Sequence, residues 1–242
     1  MKTLVINGSP RGEGSATMKL THAFLEGTGW TDIETIDISK LDLQGCKGCF
    51  SCWSITPGKC VIADDMTDIL PKFIEAKRII WSFPLYCCYF PGQMKNFMDR
   101  MLPLSLPYMI PEAESGAHPA RYEFAAERSI YISTCGFWTA KGNYDSIHAL
   151  LNRDAGSSDA AFSEVGNKTT TIFVGQGELF NVPELKEITE PFLDIVRRAG
   201  NECAKSEGKI SQETMQLLSE PLFPKDVFEK MADGSWDGEE TE

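Results

Sequence analysis

Short apolar runs alternate with helical patterns along this chain. Leu4, Val5 and Ile6 form the first run and read as a buried strand. Gly8, Ser9, Pro10, Gly12 and Gly14 break it, and Ser15 is a good helix N-cap before Met18, Leu20, Phe24 and Leu25 at roughly helical spacing. Residues 33–38 partly alternate and predict a second strand. Asp64-Asp65 predicts the cap of a helix to about residue 77, with Met66, Ile69, Leu70 and Phe73 inward and Pro71 as a kink. Residues 78–83 are nearly all apolar, as in a strand covered on both faces of a parallel sheet. A helix over residues 93–101, a strand over 129–133, a helix around 144–153 and a strand over 169–174 follow. Residues 185–205 are helical in pattern, with Pro191 the expected true start, and Ser211 opens a further short helix. Five strands alternating with helices is the rhythm of a doubly wound five-stranded parallel sheet with helices on both faces.

Two stretches break the rhythm. Residues 102–121 carry four prolines and little pattern, and read as a surface excursion. The segment from Pro221 to Trp236 has scattered apolar residues that suit a clasp on the body or on a second subunit. The expected organisation is a domain over residues 1–208, with a Cys-rich loop at 45–60, and a C-terminal extension over 209–242.

Composition narrows the function classes. A net charge of −12 argues against nucleic acid and against an anionic membrane surface, although part of it sits in a solvated tail of Asp233, Asp237, Glu239, Glu240 and Glu242. No apolar run approaches a membrane span, and Met1-Lys2 leads straight into a strand, so a cytoplasmic location is expected. The eight cysteines are then reduced thiols, metal or cluster ligands, or redox groups.

In an open parallel sheet, ligands bind at the carboxyl ends of the strands, where strand order reverses. Three loops should meet there: residues 8–17, 84–92 and 134–138. The first aims backbone N–H groups and the positive end of a helix dipole at one place, which suits an anion. Ser9, Ser15 and Thr17 add hydroxyls, and Arg11 adds a forked cation. It is neither a P-loop nor a dinucleotide fingerprint, and an ordinary Gly- and Ser-rich turn is the plainer alternative. The second loop is aromatic, and the third offers Gly136 beside Phe137 and Trp138. A flat ring carrying a phosphate tail, such as flavin mononucleotide (FMN), would use all three; ordinary packing is the alternative for each aromatic alone.

Gly8-Ser9-Pro10-Arg11 with Ser15-Ala16-Thr17, then Pro84-Leu85-Tyr86, then Lys95-Asn96-Phe97 with Asp99-Arg100, resembles the NAD(P)H-dependent FMN reductase branch of the flavodoxin-like superfamily over roughly the first 175 residues. The resemblance implies a flavodoxin-like fold and an FMN site. Ser9, Arg11, Ser15, Ala16 and Thr17 would hold the phosphate, and Pro84, Leu85, Tyr86, Thr134, Cys135, Gly136 and Phe137 would line the ring. Ala16 stands where the family often has Asn, which removes a side-chain donor and leaves the backbone N–H.

Cys46, Cys49, Cys52 and Cys60 lie in a loop that resembles the compact motif of iron–sulfur flavoproteins, a group with the same fold and a 4Fe–4S cluster. Short spacings let a loop wrap thiolates around a cubane, with Gly48 and Gly58 permitting tight turns. A four-thiolate zinc site, a redox dithiol of Cys49 and Cys52, and thiols without metal are the alternatives. Cys87 and Cys88 read as packing groups, Cys135 and Cys203 as buried thiols, and His22, His118 and His148 show no motif.

The expected function is an FMN-dependent oxidoreductase, NAD(P)H-dependent, reducing a flavin, quinone or other small acceptor, with no side-chain acid or base. Two alternatives belong to other classes: an electron carrier exchanging single electrons with ferredoxin-like partners, and a non-catalytic metal-binding regulator. Relatives of this fold are commonly homodimers or homotetramers, so self-association is expected.

Overall fold

Five strands pair in parallel in the order β2-β1-β3-β4-β5 in the computed structural model, which describes residues 1–111, 116–155 and 169–236. They are β1 (Thr3–Asn7), β2 (Ile33–Asp37), β3 (Arg78–Pro84), β4 (Arg128–Thr134) and β5 (Thr169–Val174). Register runs from Thr3 opposite both Ile33 and Arg78 to Asn7 opposite Asp37 and Ser82. Strand order reverses between β1 and β3, so their carboxyl ends define the binding edge of a flavodoxin-like sheet.

The apolar runs alternate between two cores. Leu4, Ile6, Trp81 and Phe83 pack with α2 (Met66–Glu75) and α3 (Gly92–Asp99), and with Ile147 of α4 (Asp145–Ala155). Val5, Ile80, Ile130, Ile132 and Ile172 pack with α1 (Ala16–Thr28) and α5 (Lys186–Lys205) on the opposite face. The second layer is tight. A Cβ on Gly27 would lie 1.9 Å from the Arg197 carbonyl oxygen, and one on Gly200 would lie 2.1 Å from that of Phe24. Only glycine lets these two helices approach so closely.

The extension forms α6 (Gln212–Ser219), capped by Ser211 as expected, and α7 (Lys225–Gly234). Leu218 is buried in the α1–α5 core, and the Phe223 backbone is held by both ends of the Gln176 amide, at 3.0 and 2.9 Å. The helix α7 was not read from the sequence, because Val227, Phe228 and Met231 make too short an apolar stripe.

Pro191 does not start α5. The helix begins at Lys186, and Pro191 lies inside it, as Pro71 lies inside α2. Each is the sixth helical residue, where one backbone hydrogen bond is lost and the rest of the helix compensates. Asp237, Glu239, Glu240 and Glu242 of the acidic tail lie outside the described residues. Among the described residues, no helix is long and apolar enough to cross a membrane.

Candidate functional site

The β1–α1 loop is built by its own polar groups. Asn7 Oδ1 accepts from Ser9 N at 3.0 Å, Ser9 Oγ accepts from Arg11 N at 3.3 Å, and Ser15 Oγ caps α1 by accepting from Met18 N at 3.2 Å. The first-turn N–H groups of Ala16 and Thr17 have no acceptor among the described residues. They sit at the positive end of the α1 dipole, beside the switch point. Thr17 and Thr134 share a hydrogen bond at 2.6 Å, which joins the first loop to the end of β4.

Arg11 is not free. Its Nη1 donates to Glu178 Oε2 at 2.6 Å, and both side chains are more than half exposed. The hydrogen bond and charge of Glu178 raise the Arg11 pKa, with a small contribution from Tyr86, which stands close enough to be felt. Glu178 follows β5 and is 167 residues from Arg11, so no local pattern announces it.

Tyr86 and Phe137, on the loops that follow β3 and β4, are exposed aromatics, 46% and 52% accessible. Gly136 lies next to Phe137 with open space at its Cβ position. Leu85, Thr134 and Cys135 are buried, and Leu85 N donates to Thr134 O at 2.8 Å, which ties the two loops together. Pro84 ends β3 half-buried. Cys87 and Cys88 are exposed and do not pack, contrary to expectation: they occupy a tight turn closed by paired Tyr86 and Tyr89 hydrogen bonds, with φ of 49° and 57°. Cys135 and Cys203 are buried, and burial pushes both thiols up. Among the histidines, His22 meets Glu13, His118 lies against Trp53 and His148 against Phe173. A cavity of about 480 Å³ flanks β5 near Tyr144 and Leu218, and no part of the β1–α1 loop lines it.

The cysteine loop has almost no regular structure, and Gly48 and Gly58 adopt φ of 62° and 81°, as the tight turns require. Cys46, Cys49, Cys52 and Cys60 all line one small cavity, together with Arg100. Cys46 and Cys49 are exposed, Cys52 is buried and Cys60 is intermediate. Hydrogen bonds from Ser51 hold the Cys49 thiol below its ordinary value, whereas burial pushes Cys52 up. Among the described residues, no three His, Cys, Asp or Glu side chains converge as a single metal ion requires. Four cysteines lining one cavity are the donor set that a four-thiolate metal site or a cluster takes.

Asp64 and Asp65 do more than start α2. Asp64 Oδ1 accepts from Met66 N at 3.3 Å, but the two carboxylates also hold Gln44 N and Asp42 N at the loop entrance. Arg100 grips Asp64 with contacts of 2.5 and 2.7 Å, and both side chains are fully buried. The sequence placed Arg100 in a motif but gave no sign of this partner, 36 residues away.

Residues 1–118 match the family model for NADPH-dependent FMN reductase, which bears out the resemblance over a shorter span than expected. An iron–sulfur flavoprotein of Methanocaldococcus jannaschii is 38% identical over 119 residues, 48% of this chain and 60% of that one. One from Archaeoglobus fulgidus is 38% identical over 105 residues, 43% of this chain and 46% of that one. The chain thus spans about half the length of the curated relatives it matches. A NAD(P)H:quinone oxidoreductase from Methanothermobacter marburgensis superimposes with a TM-score of 0.58 at 15% identity, covering 84% of this chain and 96% of that one. A FMN-dependent NADH-azoreductase from Bacillus anthracis, solved with FMN, gives 0.58 at 19% identity, covering 84% and 100%. The last two likenesses establish the flavodoxin-like fold.

Proposed function

We propose, on the premise that residues 1–118 carry the FMN reductase pattern, that the chain is an FMN-dependent oxidoreductase which takes electrons from NAD(P)H and passes them to a flavin, quinone or other small acceptor. The observation that carries this reading is the pair of unclaimed N–H groups of Ala16 and Thr17 at the switch point, with the exposed aromatics Tyr86 and Phe137 on the loops after the neighbouring strands. Those N–H groups, with the Ser9 and Ser15 hydroxyls, would bind the phosphate as charge-assisted acceptors demand. Arg11 would join them by exchanging Glu178 for the phosphate. Tyr86, Gly136 and Phe137 would lie along the ring, with Pro84, Leu85, Thr134 and Cys135 shaping its seat. Bound there, the flavin accepts two electrons and releases them singly or in pairs. The fold's part is binding, orientation and charge.

A second element of the proposal is a 4Fe–4S cluster held by Cys46, Cys49, Cys52 and Cys60. The shared cavity of the four thiols supports it, as do the curated relatives called iron–sulfur flavoproteins. With a cluster in place, exchange of single electrons with a ferredoxin-like partner becomes the alternative to turnover of a small acceptor. Exposed Tyr108, Met109 and Trp236, on the surface excursion and just beyond α7, fit a subunit contact in a homodimer or homotetramer. Anaerobic stopped-flow reduction tests the main reading. Rapid bleaching of bound flavin by NADH or NADPH is expected; bleaching by reduced ferredoxin alone would leave the electron carrier.

A further inference from the structure

We infer that Arg100 is a positioning residue for the electron-accepting state of the four-cysteine site: its guanidinium, clamped by Asp64, supplies the positive charge and the free N–H that favour adding an electron to a metal–sulfur cluster there. The inference rests on the reading that these thiols hold such a cluster.

Arg100 is 1% exposed and belongs to the largest fully buried side chains of the chain. A guanidinium has five N–H bonds. Nη1 donates to Gln44 O at 2.7 Å and to Asp64 Oδ2 at 2.5 Å, and Nη2 to Asp64 Oδ1 at 2.7 Å and, weakly, to Ile62 O at 3.5 Å. The fifth, on Nε, is buried with no hydrogen-bond partner among the described residues. Such an orphan on a cation is costly to keep.

Arg100 also lines the cavity that the four cysteines line, where Lys47 and Asp99 stand as the other charged residues, whereas Asp64 is not part of that lining. The positive member of the pair therefore stands nearer the thiols, and its counter-charge stands behind it. A buried ion pair is a poor stabiliser compared with apolar packing of the same volume, so a pair placed here asks for another role. Four thiolates around a cluster carry net negative charge, and one added electron deepens it. Hydrogen bonds to sulfur and nearby charge are the levers by which a protein sets such a potential.

The test uses the full chain, reconstituted anaerobically with iron and sulfide, and follows the signal of the reduced cluster by electron paramagnetic resonance across a redox titration. Arg100→Gln leaves Asp64 uncompensated. At a fixed solution potential its reduced-to-oxidised ratio is expected to fall at least tenfold, about 59 mV for one electron. The double variant Arg100→Gln with Asp64→Asn keeps the net charge of the pair and avoids a lone buried carboxylate. It is expected to shift in the same direction by less. A wild-type potential in either variant, at full iron and sulfide content, overturns the inference, since a merely structural Arg100 would leave the potential unmoved. Failure of the wild-type chain to take up iron and sulfide overturns it together with the cluster reading, and is told apart by the metal analysis.

Discussion

The two candidate sites of this chain are held in opposite ways. At the β1/β3 edge the groups proposed to face a ligand belong to regular elements or to the loops that leave them directly: the first turn of α1, the last residue of β4 and the loops after β3 and β4. Their directions follow from the sheet and from helix geometry. The cysteine loop has almost no regular structure, and its entrance is tied down by Asp64, Asp65 and Arg100, with Trp53 resting on His118 at 4.7 Å. One site is a property of the fold, and the other is a property of a few long-range side-chain contacts. The first should survive changes that scatter the second.

The strongest way to break that contrast is Asp64→Ala. It strands a buried guanidinium, which costs about 3–5 kcal/mol, and frees Gln44 N at the loop entrance. Melting by calorimetry should drop by on the order of 10 °C, and iron content should fall while flavin content holds. Equal loss of both would show that the two sites are one unit.

Next in size is Arg11→Ala combined with Ser15→Ala, which removes a cation and the α1 cap. A loss of about 2–4 kcal/mol in FMN binding, roughly a hundredfold in Kd, is expected from charged hydrogen bonds and capping. Fluorescence titration of the apoprotein reads it, and iron uptake should not change.

Acid should act on the body of the fold as well. Glu202 accepts from Ser211 N at 2.8 Å and from Thr214 and Arg198. Burial opposes its charge, but those bonds prevail and hold it at about 2. A carboxyl lower in the folded state than the unfolded value gives stability that is whole above about pH 4.5 and is lost as pH falls toward 2. Melting curves between pH 6 and pH 2.5 should show this loss, and Glu202→Gln should flatten it.

The smallest effect belongs to Glu178→Gln. It releases Arg11 from an exposed pair worth at most about 1 kcal/mol and should tighten FMN binding a few-fold in the same titration. Weaker binding would mean that Glu178 orients Arg11 instead of competing for it.

The contrast also explains what was legible in the sequence. Strand β1 and the cap at Ser15 follow from local rules, since an apolar run between glycines and a hydroxyl before a helical stripe act within one turn. The four-cysteine loop was visible by its spacing. Their support was not: Arg100 and Asp64 meet through the fold, and Asp64 reads locally as a helix cap. Glu178 was hidden for the same reason. Cys87 and Cys88 looked apolar and proved exposed, because the paired Tyr86 and Tyr89 backbones turn them out. Pro191 was misplaced because α5 gains enough from burying Phe192 and Val196 to carry one missing hydrogen bond.

Elemental and flavin analysis of anaerobically purified protein tests both proposed sites, the FMN site and the cluster site, at once. About four iron and four sulfide per chain, with one FMN, is the predicted result. Zinc or no metal at the thiols, or protein that takes up no FMN, would contradict it.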